Sequence, residues 1–554
     1  MRKFPAALLA ACLLSMGLWA CQPGDSAGGS DTGAQRIAGE PRGAVPSTGA
    51  APTTPGTPST GGAPGQPAPI GAQPVPDTPV ADLPAHEGHT PIAQPSPQPP
   101  THADEPAPPA AKVGREWVVS ASGSDTAEGT AASPFRTISK AASVAGPGDL
   151  IRVLAGTYAE RVILGTAVKA GTADAKITLQ GEGKPRITPG PGTGALVQVL
   201  RPNWIIDGFE IDVQRQPTFA VSFEGDVTGS VLANSELHHG TTGGAITTFN
   251  KAKGATIENN HIHDFVKNWG DLDSHGVVVQ PTSRDITVRN NDIHDNSGDS
   301  VQCLGPEGFS NLPPAQGLVV ENNHFYANRE NAVDIKTCYD VVIRNNRMHD
   351  FKPTSTAKGD ALVVHMSARN VLIEDNEVYD SGKGISVGGN HQGPVPTGIV
   401  IRRNRVHDLT TEGGGEGTGI RLENSKGALV VNNTITRAAG AALVIGQGTG
   451  GATESPRVEN NIIDSPVAVN LGPQRPGMKM GFNLFPASAQ FKSAGVMVGW
   501  EAFKQAAGDT TSTTGDTAVA PDFAPATLAV DRGTDVGLPF CGSAPDIGAV
   551  EVGC

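Results

Sequence analysis

The chain has 554 residues, 70 of them Gly and 45 Pro, with only 5% aromatic residues and a formal net charge of −14. So large a negative surplus argues against nucleic acid and anionic lipid surfaces as partners. It also means that a polyanionic substrate would have to meet a locally basic groove, with a cation's help.

The N-terminus opens with Arg2-Lys3 and an apolar run from Phe4 to Leu18, too short to span a membrane. The run closes on Leu18-Trp19-Ala20-Cys21, which resembles the lipobox of bacterial lipoproteins. That resemblance implies a signal over 1–21, lipidation of Cys21, and a mature protein held at the outer membrane or cell surface through its lipid alone. Residues 22–112 are rich in Pro, Gly, Ala and Thr and nearly free of aromatics, so they cannot bury enough surface to offset chain entropy and read as a disordered tether. His86 and His89 fall within it, where no fixed geometry would make them a metal pair.

Residues 113–200 read as an N-terminal cap and first turns. A strand at Trp117–Val119 precedes a glycine-rich loop, a short amphipathic helix through Ile138–Ala142 and a strand at Leu150–Val153. A helix placed there would cover the open end of whatever sheet follows. Residues 201–486 carry the repeats. Nine times between Asn234 and Asn461 a short β-rich phrase ends in asparagine, as in Ile-Glu-Asn-Asn-His-Ile-His-Asp at 257–264, at steps of 23 to 32 residues. A unit this short cannot bury an apolar face alone and must be one turn of a solenoid. Val341-Val342-Ile343 and Ile399-Val400-Ile401 just before the asparagines are β-branched, and no repeat holds a helical pattern. An all-β, right-handed parallel β-helix of about ten turns is expected, with a closing segment over 487–554. Each asparagine would then lie about 4.8 Å over the last, either bonding to its neighbours or simply tolerating left-handed backbone at a bend.

Cys541 and Cys554 suit a disulfide outside the reducing cytosol. Cys303 and Cys338 lie on neighbouring turns, where a disulfide and two buried thiols are equally open.

The N-terminal phrases, together with Asp531-Arg532-Gly533-Thr534-Asp535 and Ala544-Pro545-Asp546-Ile547-Gly548-Ala549-Val550-Glu551, resemble the end modules of secreted bacterial β-helix proteins of the pectate-lyase-like superfamily. With the repeats, the resemblance covers nearly all of 116–554. It implies work on carbohydrate, mostly β-elimination, in a superfamily that also holds hydrolases, epimerases and non-catalytic adhesins.

Aligning turns on the asparagine puts one strand of each in a common sheet, and alternation sends the third and fifth positions outward. Most are small or neutral, whereas Asp334, Lys336 and His365 form an ionisable patch, with Gln280 and Gln302 on preceding turns and Arg421 further along the column. These three polar residues and Trp269, in an insertion at 266–273, are candidate substrate contacts, although a tryptophan more often plugs its own loop. Removal of the proton α to a uronate carboxylate needs a base, a cation for the enolate and a donor for the leaving oxygen. Lys336 is the candidate base, and His365 the residue that orients substrate or protonates the leaving group. Asp334 alone would hold Lys336 protonated, a conflict resolved if Asp334, with Asp299 or Glu330, holds Ca²⁺. Asp334-Ile335-Lys336-Thr337-Cys338 is similar to the Lys-Ser segments that carry the base in calcium-dependent alginate and dermatan lyases, although the acidic spacing differs. The pairs His263-Asp264, His294-Asp295, His349-Asp350 and His407-Asp408 recur at one offset and read as a structural polar corner. The expected protein is a monomeric, surface-anchored lyase of acidic polysaccharide. The alternatives are a glycan-binding adhesin, a uronate C5-epimerase or a glycoside hydrolase, the last needing two spaced carboxylates.

Overall fold

The computed structural model describes residues 114–267, 273–304, 312–355, 357–389, 394–448 and 451–554. The signal, Cys21, the 22–112 tether and Trp269 lie outside the described residues.

Each turn contributes strands to three parallel sheets, as the β-branched phrases predict. The first sheet holds the strands before the asparagines, such as Thr287–Arg289, and the second those after them, such as Asp292–His294. The third holds the candidate site, with strands such as Val301–Cys303 and Val333–Ile335. Named strand pairs are parallel except the terminal pair of Gln490–Ser493 with Val496–Val498. The protein is a right-handed parallel β-helix, and its second and third sheets each hold fourteen strands among the described residues, against about ten turns expected. The difference arises at the ends, where Thr157–Ala159, Arg186–Thr188 and Thr513–Gly515 form turns without the asparagine signal.

Both readings of the asparagines hold, one for each member of the pair. The second is buried and stacks: Asn291 Oδ1 accepts the backbone N–H of Asn260 at 2.9 Å and its side-chain amide at 3.0 Å. The same two bonds recur from Asn291 to Asn323 and onward to Asn461 with Asn483. The first member is left-handed, with φ of 55° at Asn259, 55° at Asn290 and 54° at Asn345. Asn234 belongs to this left-handed column, with φ of 49°, and the ladder position of its turn is taken by Ser235. At the other end the ladder runs past Asn461 to Asn483, whose N–H meets Ser512.

Inward side chains form one apolar column per sheet. In the third sheet, Val277, Val301, Val333, Leu362 and Ile385 are in direct register and fully buried. The helix Ile138–Val144, N-capped by Thr137, buries Ile138, Ala141 and Ala142 over one end of this core. At the other end the helix Trp500–Ala507 stacks Phe503 on Phe491 at 4.1 Å. The remaining C-terminal segment runs back along the asparagine corner, where the Ala549 N–H bonds Thr434 Oγ1 and the Gly548 N–H bonds the Asn460 carbonyl.

Cys541 and Cys554 are bonded as expected, and Cys303–Cys338 is also a disulfide, with Cα atoms 6.3 Å apart. The chain turns the corner at Lys336-Thr337, which brings Cys338 back beside the strand that holds Cys303. The His-Asp pairs stand in one continuous ring column: His263 on His294 at 5.4 Å, Tyr326 on His349 at 5.3 Å, and Tyr379 on His407 at 5.1 Å. Within each pair the histidine Nδ1 lies 2.7 or 2.8 Å from the aspartate, so the structural reading of these residues agrees with the packing.

Candidate active site

Gln302, Asp334, Val363, Ser386 and Arg421 occupy one outward column of the third sheet, in the register that alternation predicts. The Lys336 N–H donates to the Cys303 carbonyl and the His365 N–H to the Ile335 carbonyl, so parallel pairing continues past the strand ends and presents both side chains on the same face.

Asp334 joins the other two. Its Oδ1 lies 2.8 Å from His365 Nε2 and its Oδ2 3.7 Å from Lys336 Nζ. Burial by itself would push this carboxyl up, but the neighbouring His365 and Lys336 outweigh it and hold Asp334 well below the usual carboxylate range. Behind this trio sits a second acidic group. Asp299 is fully buried; its Oδ1 accepts the Asn331 N–H at 2.9 Å, its Oδ2 accepts Gln302 Nε2 at 3.0 Å, and His275 Nδ1 lies 3.1 Å away. Burial pushes Asp299 up, and the charge of Asp334 adds to the effect. Glu330 is pushed up to about 9 by burial and by Asp299, Asp273 and Asp334, against the opposing guanidinium of Arg329.

The carboxylates proposed for calcium do not fit it. Calcium takes six to eight oxygen ligands, yet the oxygens of Asp334 face His365 and Lys336 while those of Asp299 are occupied by Asn331 and Gln302. Glu330 is pushed up by burial and by the neighbouring carboxylates, which disfavours the ionised form that a calcium ligand needs, and the adjacent Arg329 guanidinium pairs with Asp273. Among the described residues, the groups of three His, Cys, Asp or Glu ligand atoms within 4.8 Å of one another all lie on the second sheet.

The remaining candidates separate. Gln302 binds Asp299 rather than facing the trio alone, and Gln280 follows the strand His275–Val279 with its N–H bonded to Thr248. Arg421 shares the outward column, but its guanidinium is matched by Glu416 and by Glu423, the latter 2.6 Å from its Nε. Lys383 is likewise matched, 3.3 Å from Asp360 and 3.4 Å from Glu416. The locally basic groove expected for a polyanion is therefore a face of paired charges. Sequence reasoning missed His275, Arg329 and Asp273. His275 heads the aligned strand, and that position was a detectable signal; Arg329 reaches Asp273 across 56 residues of chain, which no short-range pattern reports.

Comparison with known proteins agrees with this architecture. The profile described as a right handed beta helix region matches residues 203–350, 310–392 and 355–465. The fold is the right-handed parallel β-helix, and the profile matches lie within its repeats. A PL6 alginate lyase in complex with trisaccharide is similar to it at 15% identity and a TM-score of 0.50, covering 79% of this chain and 95% of that one, which establishes likeness of fold. The PL6 alginate lyase AlyGC matches at 17% identity and a TM-score of 0.49, over 72% of this chain and 57% of that one. The pectate lyase Pel9A matches at 16% identity and a TM-score of 0.42, over 80% and 97%. No curated protein sequence matches the chain.

Proposed function

We propose that the chain is a glycan-degrading lyase that cleaves a uronate-containing polysaccharide by β-elimination at Asp334, Lys336 and His365. The observation that carries this reading is the contact of all three on one outward sheet face, with Asp334 between a lysine and a histidine. The ion pair favours a cationic Lys336, so in this reading it binds the substrate carboxylate and the developing enolate and does not act as the base. His365 is then the base. Its ring is held by Asp334, which stabilises the imidazolium that forms when the C5 proton is taken. Glu330, protonated at neutral pH, supplies a carboxyl in the same cluster that can donate to the leaving oxygen. No step calls on calcium, so chelation should leave turnover unchanged.

The paired charges on this face favour a glycan with uronates spaced among neutral sugars over a dense homopolyuronate. A panel containing both kinds should show unsaturated uronate absorbance, greater with the mixed glycans. Lys336→Ala and His365→Ala should each lower the rate by roughly two to four orders of magnitude. Release of reducing ends without unsaturation would indicate hydrolysis, C5 exchange of solvent deuterium without cleavage an epimerase, and retention on a glycan array without turnover a binding protein. Any of these would displace the lyase.

Export and anchoring through Cys21 belong to the same proposal, supported by two disulfides that suit an oxidising compartment. Cys21→Ser should move the protein from the membrane fraction to the soluble fraction, and its retention there would refute the lipid as sole anchor.

A further inference from the structure

The second sheet carries a side-chain cluster that the lyase site does not use, at the edge of the stacked ring column to which His294 also belongs. His261 and Asp292 are direct register partners on neighbouring turns, and His294 lies diagonally from His261. His261 Nε2 and His294 Nε2 are 2.7 Å apart. His294 Nδ1 faces Asp295 at 2.7 Å, which places the ring proton on Nδ1 and leaves Nε2 as a lone pair. The short contact therefore consists of two ring nitrogens sharing one proton, a position that a metal ion can take in its place.

The third group points the same way. Asp292 Oδ1 is buried without a hydrogen-bond partner, although Asp292 also receives the Tyr326 hydroxyl and its Oδ2 lies 3.6 Å from His324. Ligand atoms of His261, Asp292 and His294 all fall within 4.8 Å of one another, and Glu236 and His263 form a second such group around the same His261. His261 is exposed and lines a surface cavity with Lys184, Asn234 and Glu236, so its ring is open to solvent.

We infer that His261, Asp292 and His294 bind a divalent transition-metal ion of the zinc class across two turns of the solenoid. Two imidazoles and one carboxylate are a zinc donor set, and ligand distances of about 2.0–2.2 Å require the two Nε2 atoms to open only slightly from their present contact. Binding moves the shared proton from His261 Nε2 to Nδ1 of the same ring, a change of tautomer with no net release of a proton. Asp295 acts as a positioning residue, fixing the tautomer of His294.

The test is zinc titration of the untagged full chain after metal removal, followed by calorimetry and repeated with cobalt(II) for its tetrahedral absorption bands. One saturable site is expected. His261→Gln and Asp292→Asn should weaken it at least about tenfold, and Asp295→Asn by about 10–100-fold. His407→Gln, further along the same ring column where His407 stacks on Tyr379 at 5.1 Å, should leave affinity unchanged. Melting curves without zinc check that each variant is folded. Absence of saturable binding, or an equal loss in His407→Gln and His261→Gln, would overturn the assignment.

Discussion

At neutral pH Glu330 keeps a proton that an ordinary glutamate has lost, because burial and three nearby carboxylates push it up to about 9 from the usual 4.5. Between those two values the folded state binds more protons than the unfolded state, so this residue's contribution to stability is fully present below the lower value and is lost as pH rises towards the upper one. Glu330→Gln keeps the neutral form at every pH. Its melting temperature should exceed the wild type by a few degrees at pH 8 and match it at pH 4, and a difference of equal size at both would show that folding does not push Glu330 up. Asp334 has the opposite sign, since His365 and Lys336 depress it against the effect of burial, and its contribution is lost only in strong acid. Two carboxyls four residues apart are thus held in opposite protonation states by what surrounds them.

The asparagine pair is the element that repeats, and its members have separable energetics. Asn346 Oδ1 accepts the Asn323 N–H at 3.0 Å and the Asn323 amide at 2.9 Å, while its own amide reaches the Val320 carbonyl at 2.9 Å and Asn376 at 3.0 Å. Asn346→Ala takes partners from buried donors and acceptors on the two neighbouring turns and should cost about 2–4 kcal/mol in chemical denaturation, above the usual value for one hydrogen bond. Asn345, next in the chain, contributes through its φ of 54° instead. Asn345→Gly should be close to neutral and Asn345→Val destabilising by about 1–2 kcal/mol. Equal losses for Asn346→Ala and Asn345→Gly would mean that the two positions do not divide the work in this way.

Across the whole molecule, stability is a sum over stacked turns, each contacting its neighbours, and Cys303–Cys338 ties the turns that carry the site. The disulfide closes a loop of 35 residues, for which chain entropy gives about 3–4 kcal/mol. The double variant Cys303→Ala, Cys338→Ala should lose stability on that order. Because Cys338 lies two residues after Lys336, its kcat should also fall while the distant second-sheet metal affinity stays constant. Unaltered stability would show that packing alone fixes this corner.

The chain's period, its β-branched phrases and the alternation of inward and outward positions were legible in the sequence because each depends on spacing along one strand or one turn. That logic yielded the solenoid, the outward column of Asp334, and the shared face of Lys336 and His365. It misplaced Asn234 by one position, since Ser235 can make the same bond to Asn260 without being an asparagine. It also undercounted turns where the asparagine was absent. What tertiary structure decided was the set of neighbours that each charge meets: Arg329 against Asp273 and Glu330, Arg421 against Glu416 and Glu423, His261 against His294. These partners lie on different turns or in insertions of variable length, and a repeat period fixes which residues stack but not how far a side chain reaches sideways. Protonation states, the lack of fit to calcium and the second-sheet cluster all follow from that lateral reach, so they emerge only once the turns are wound on one another.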